Sequence, residues 1–169
     1  MPRAATPRVA VSVIVEHDAW RDALDDPLPL LRRAASVAVA EARRQRRSRA
    51  TWIPIVDVAL IDDRAMQKLN KTYRGKDKPT NVLSFPSGET SEGRRRRLGD
   101  VAIALGTVKR ESKAQGKTVE DHVAHLMVHA VLHLLGYDHE ADPDAEEMEA
   151  LERKALAALG IADPYRTAK

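Results

Sequence analysis

Residues 118–139 read TVEDHVAHLMVHAVLHLLGYDH, and the organisation of the whole chain follows from this stretch. Thr118 and Asp121 form a T-x-x-D pattern, in which a hydroxyl can satisfy an orphan backbone N–H of a first helical turn. The spacing predicts a helix over about 119–135 that Gly136 stops. On that helix His129 and His133 are four residues apart, so both imidazoles lie on one face within reach of a single ion. An i, i+4 histidine pair also arises by chance on amphipathic helices. A third imidazole, His139, follows shortly after Gly136, where the glycine lets the chain turn back toward the pair.

His122 and His125 lie on the same stripe and compete for the role of third ligand. Ligands continuing up one straight helix are separated by about 5.4 Å per turn and cannot all converge, which favours His139. His125 is then expected to be a core residue or to sit behind the ligands. Three nitrogen donors and no sulfur suit one zinc ion with an open fourth position, and nickel or copper could occupy the same donors. Position 130 is Ala, so the glutamate of H-E-x-x-H metalloproteases is absent and peptide hydrolysis is the weaker case.

Outward from this helix, strands and helices alternate. Val9–Val15 and Ile53–Ile61 read as strands, the second apolar apart from Asp57 and covered on both faces. A short polar helix or turn holds Trp20. Asp26-Pro27 then opens a helix that carries Leu31, Ala34, Ala38 and Ala42 and ends in an arginine run. Asp62 caps a helix with Met66, Leu69 and Tyr73 on one stripe, followed by the polar loop RGKDKPTN. Val82–Phe85 and Asp100–Leu105 are short strands joined by residues 86–97, which have loop composition and are expected to be a mobile basic loop over 87–97. Thr107 to Gln115 forms a short helix, and a last helix after Asp142-Pro143 presents Met148, Leu151, Ala155 and Leu159. Because one strand-to-strand link is a loop, the prediction is an α+β fold: a single domain over 1–169, with a mixed sheet of roughly four strands, about five helices and a zincin-like metal site on the long helix.

The chain has 169 residues, 43% of them hydrophobic, and no cysteine. That length can bury a core unaided, and the missing thiols exclude zinc ribbons, thioredoxin chemistry and cysteine hydrolases. No apolar stretch approaches the ~20 residues that cross a bilayer, and the first fifteen residues lack a signal-peptide core. A cytoplasmic protein without a membrane partner is expected. The net charge of +3 comes from two runs, RRQRRSR at 43–49 and RRRR at 94–97, against seven acids between 140 and 152, Glu152 among them. Both basic runs are compatible with solvated surface or with a polyanion such as RNA. The six aromatics are too scattered for a base-stacking sheet.

The run HAVLHLLGYDH resembles the H-G-x-L-H-L-x-G-Y-D-H pattern of the YbeY family of endoribonucleases and ribosomal RNA maturation factors, with Ala130 in place of the usual glycine. LNKTYRGKDKPTNVLSFP, residues 69–86, is similar to that family's N-x-x-Y-R-x-x-D-x-P-T-D-V-L-S-F-P, with Asn81 in place of the commoner aspartate. LGDVAIAL at 98–105 is a third, weaker match. The resemblance covers roughly residues 50–160. It implies that His129, His133 and His139 hold zinc, and that Arg74 binds phosphate or takes part in catalysis. The implied activity is metal-dependent endonucleolytic cleavage of single-stranded ribosomal RNA, in 16S 3′-end maturation and ribosome quality control, with the ribosome or its small subunit as partner. Independently, a guanidinium presents a planar fork to phosphate oxygens. On the residues alone, a surface ion pair of Arg74 with Asp77 or another acid is the preferred reading, and Asp138 could orient a ligand or cap its turn. Two other readings keep the same histidines: an RNA-binding assembly factor with a structural metal, and a zinc peptidase-like hydrolase.

Overall fold

The computed structural model describes residues 5–88, 91–138 and 140–166. Its elements run β1 (Ala10–Val15), α1 (Trp20–Ala23), α2 (Pro27–Gln45), β2 (Ile53–Ile61), α3 (Asp63–Arg74), β3 (Val82–Pro86), β4 (Ser91–Glu92), β5 (Arg95–Ala104), α4 (Leu105–Gln115), α5 (Val119–Leu134) and α6 (Asp142–Ala158). The sheet has the order β1-β2-β5-β3. Strands β1, β2 and β5 are parallel, and β3 returns antiparallel on the far edge of β5. This is the expected α+β architecture with a mixed sheet.

The caps expected from the sequence are present. The Asp62 carboxylate accepts from the Ala65 N–H at 2.8 Å and the Thr118 hydroxyl from the Asp121 N–H at 3.1 Å, each satisfying a donor that a helix start leaves unpaired. One face of the sheet (Val56, Val58, Leu60, Val101, Ile103) shares its core with α2, α5 and α6. On the other face Ile61, Leu83, Ala102 and Ala104 meet Met66 of α3. Helix α5 is buried nearly all round, from Val123 and Ala124 to Leu132, so what it carries is held rigidly. No described helix is long and apolar enough to cross a membrane.

Within 87–97, where loop composition is expected, Ser91–Glu92 and Arg95–Arg97 are strand residues. Ser91–Glu92 pair antiparallel with Arg95–Arg96, and Arg95–Arg97 pair with Ile53–Ile55 of β2. The sheet thus recruits arginines whose composition suggested a loop, because β2 offers unpaired backbone groups there and long arginine stems tolerate a strand edge. A register irregularity between Ile55 and Val56 sets this arginine stretch off from the apolar half of β5.

Two close approaches lock helices to the sheet. A Cβ on Gly99 would stand 2.1 Å from the Phe85 carbonyl oxygen and 2.9 Å from Leu134 Cδ2, so only glycine lets β3 and the end of α5 close on β5. At the β5–α4 corner, Asp63 accepts from the Thr107 N–H at 2.9 Å, the Thr107 hydroxyl at 3.0 Å and Arg110 at 2.9 Å. Partial burial works to raise the Asp63 pKa, but these donors outweigh it and hold the group below its ordinary value.

Gly99→Ala should lower unfolding stability by about 1–3 kcal/mol, since a backbone carbonyl cannot retreat as a flexible side chain can; urea denaturation measures this. For Asp63 the folded pKa is depressed, so its contribution is present above the unfolded value of about 3.9 and lost as pH falls through the folded value. The stability gap between wild type and Asp63→Asn, about 1 kcal/mol at pH 7, should therefore narrow below pH ~4.

Candidate metal and phosphate site

The histidines of α5 rise one turn at a time, and a carboxylate of α6 receives two of them. Glu152 has no exposed surface. One of its oxygens accepts from His129 Nδ1, and the other faces His125 Nε2 at 3.3 Å and accepts from the Tyr165 hydroxyl. Burial pushes the Glu152 pKa up, yet the hydrogen bonds from His125, His129 and Tyr165 prevail and hold it down at about 2. The Tyr165 hydroxyl is pushed well above its ordinary value by burial and by the carboxylate it serves. Glu152 is therefore an ionised acceptor in the protein interior.

This arrangement sets the tautomer of His129. With Nδ1–H directed at Glu152, the neutral ring presents its Nε2 lone pair outward. That Nε2 lies 3.1 Å from Nε2 of His133, with the ring centroids 4.6 Å apart. Two imidazole nitrogens sharing one tetrahedral zinc at 2.0–2.1 Å would stand about 3.3 Å apart. The donor pair thus fits a common ion, and the carboxylate behind His129 is the partner that ligating histidines ordinarily have.

The other histidines separate. His125 turns to Glu152, in keeping with a place behind the ligands. His122 is buried and faces Glu111 of α4 at 3.5 Å, with desolvation lowering its pKa, so it points away from the pair. His139 lies outside the described residues, and among the described residues no group of three His, Asp or Glu side chains converges to hold a metal. Asp138 caps its own turn, accepting from the Glu140 N–H at 3.1 Å.

A cavity of about 330 Å³ is lined by His129 and His133 together with Arg74, Lys76, Lys78, Asn81 and Ser84. Arg74 is 55 positions from His129 in the chain, and the α3–β3 connection brings it to the same space. The alternative pairing of Arg74 with Asp77 is not what the structure contains: Asp77 accepts from Gln67 at 3.0 Å and faces Lys71 at 3.8 Å. No carboxylate is among the described residues lining the cavity. Asn81 is structural, since its amide donates to Glu111 at 2.8 Å while its oxygen accepts from the Val82 N–H at 2.7 Å. An aspartate there would set two carboxylates against each other. Ala130 is buried and its methyl contributes to the cavity floor.

Sequence reading missed Glu152 and Tyr165. In the sequence Glu152 is one of seven acids between 140 and 152, although it falls on the stripe of Met148, Leu151, Ala155 and Leu156. A lone charge on an apolar helical face was the available signal.

Residues 28–160 match the family described as Endoribonuclease YbeY. A protein named Endoribonuclease YbeY from Azorhizobium caulinodans is 48% identical over 159 residues, covering 92% of this chain and 95% of its own length. One of the same name from Parvibaculum lavamentivorans is 44% identical over 172 residues, covering 96% and 88%. The solution structure of a Thermotoga maritima protein aligns with 94% of this chain and 99% of its own at a TM-score of 0.50 and 20% identity, which bears on the fold alone. With the family matched over most of the chain and relatives near half identity across nearly its full length, the chain belongs to the endoribonuclease YbeY family.

Proposed function

We propose that this protein is a zinc-dependent endoribonuclease that cleaves single-stranded ribosomal RNA, with His129, His133 and His139 as metal ligands and Arg74 as the phosphate-binding catalytic residue. The observation that carries the reading is the pair of Nε2 atoms 3.1 Å apart, with His129 held from behind by an ionised, buried Glu152, in a cavity whose described lining includes Arg74, Lys76 and Lys78. A cavity with three cations and no described carboxylate suits a phosphodiester better than a peptide, because position 130 lacks the glutamate base of zinc peptidases and no acid is among the described lining residues. Catalysis by a metal rather than a purely structural site is supported by His125: its Nε2 is committed to Glu152 at 3.3 Å and does not supply a fourth ligand that would close the site.

When bound, zinc would supply Lewis-acid polarisation of a phosphoryl oxygen and a lowered pKa for water. The chain's own residues do the remainder. Arg74 offers two parallel N–H donors to the non-bridging oxygens and offsets the charge that develops on them. Lys76 and Lys78 neutralise neighbouring phosphates as point charges. Glu152 keeps His129 in one tautomer and orientation through each turnover. Family membership further supports the small ribosomal subunit as the setting, 16S 3′-end maturation and ribosome quality control as the task, and the cytoplasm as the location.

The test is cleavage of single-stranded ribosomal RNA by highly purified protein of known metal content. His133→Ala and Arg74→Ala, both folded by circular dichroism, should each lose at least about 100-fold in kcat, and only the former should lose metal. Equal cleavage by all three proteins would indicate a contaminating nuclease and refute the assignment. Glu152→Gln keeps the shape but not the charge, and should weaken zinc binding by about 10–100-fold in a direct titration. An unchanged zinc affinity would show that the carboxylate does not act on the ligand.

A further inference from the structure

Met66, Leu69 and Tyr73 share one stripe of α3, and the fold divides that stripe. Met66 is fully buried and Leu69 packs against the same small core, whereas Tyr73 keeps 65% of its surface exposed. The Tyr73 ring meets Phe85 of β3 edge to face, with centroids 5.1 Å apart and planes at 66°. Phe85 is itself half-buried against the cluster that contains Met66, Leu83 and Ala102. Tyr73 is therefore braced on one side by an anchored ring while most of its own surface stays in water. Six aromatics scattered along the chain do not build a stacking sheet, but folding sets two of them together.

The pair stands at the margin of the cavity that holds His129 and His133. Neither ring lines that cavity, yet both have lining residues beside them: Arg74 follows Tyr73 and Asn70 precedes it by one turn, while Ser84 precedes Phe85 and Leu83 lies two positions before it. Asn70 and Tyr73 are neighbours on one helix surface, with Cβ atoms about 5–6 Å apart. Leu83 and Phe85 point to the same face of β3 about 7 Å apart. The aromatic pair thus begins one side chain beyond the cavity, on the side of Arg74.

Consecutive residues leave a helix about 100° apart, which is how Arg74 comes to line the cavity while the Tyr73 ring turns to Phe85. A nucleotide divides in the same way, with an anionic phosphate on one side of its sugar and a flat, largely apolar base on the other. With a phosphate held at Arg74, the base of that nucleotide or the next is carried toward Tyr73. Exposed aromatic faces bind unpaired bases in this manner and tolerate any of the four, since each has a π-face. A base kept within a duplex is already covered by its neighbours and has no face to offer. Single exposed aromatics are ordinary on protein surfaces; the brace from Phe85 and the place beside a phosphate-binding arginine distinguish this one.

We propose that Tyr73, braced by Phe85, stacks on the base of a nucleotide adjoining the phosphate at Arg74, and so makes an unpaired base a condition of productive binding. The proposal rests on the RNA-cleaving reading above and adds a specificity-determining residue to it.

The test is steady-state cleavage by the full-length, zinc-loaded protein. Its substrates are a single-stranded ribosomal RNA oligonucleotide and a series in which each base near the mapped cut is replaced in turn by an abasic ribose. Tyr73→Ala should raise KM by about 5- to 100-fold, the loss expected of one stacked base, while kcat changes by less than about threefold. Zinc content should stay unchanged. In wild type one abasic position should carry a KM penalty of similar size, and in Tyr73→Ala that position should cost less than about twofold, because the ring that covered the base is gone. Tyr73→Phe keeps the π-face and should restore KM, whereas Tyr73→Leu can pack against Phe85 without one and should not. Recovery by leucine, no recovery by phenylalanine, an unchanged KM in Tyr73→Ala, or abasic penalties equal in both proteins at every position would overturn the stacking assignment while leaving the nuclease reading intact. Wild-type protein that fails to cleave the intact oligonucleotide would overturn both.

Discussion

A carboxylate removed from water survives ionised only if donors surround it, and Glu152 meets that condition with three groups from two parts of the chain. His125 and His129 come from α5 and Tyr165 from the segment after α6. The association of α5 with α6 is therefore polar at one point within an otherwise apolar contact, and this point lies directly behind His129. Were any partner missing, a buried charge would be left without compensation, which costs far more than the hydrogen bond itself contributes. The same constraint that specifies how the two helices pack also specifies which nitrogen of His129 faces the cavity.

The sheet supplies the opposite wall. Gly99 allows β3 and the last turn of α5 to close on β5, and residues of β3 and α5 together line the cavity at His129 and His133. Arg74 ends α3 and Lys76 and Lys78 follow on its connection to β3, while His129 and His133 stand on a helix buried on nearly every side. Rigid nitrogens face cations carried on exposed, longer side chains. For a charged polymer this division is useful, since the reacting phosphate needs fixed geometry and its neighbours need only neutralisation.

Charge is sorted by position rather than by amount. Arg97 and Arg96 are adjacent in the chain, yet alternation along β5 gives one of them to Asp57 and Asp100 and the other to the Trp52 ring. Arg43 and Arg46, one helical turn apart, divide between Trp52 and Tyr137. The acids of 140–152 do not form one uniform surface either, because Glu152 is withdrawn from it.

Local rules made much of this legible from residues alone. The Asp62 and Thr118 caps, the stop at Gly136, the i, i+4 histidines and the β-branched strands depend on neighbours within a few positions, where side-chain spacing dictates geometry. Motifs such as HAVLHLLGYDH and YRGKDKPTN likewise singled out Arg74, His129 and His133, which the fold brings to the lining of one cavity. Three features depended on the tertiary structure: Arg95–Arg97 entering β5, Glu152 taking the place behind His129 that the sequence had left open, and the two arginine runs meeting at Trp52. Each requires partners 23 to 53 residues away, and strand pairing, burial and ion placement at such separations are decided by which surfaces the folded chain brings together, a quantity that no local pattern encodes.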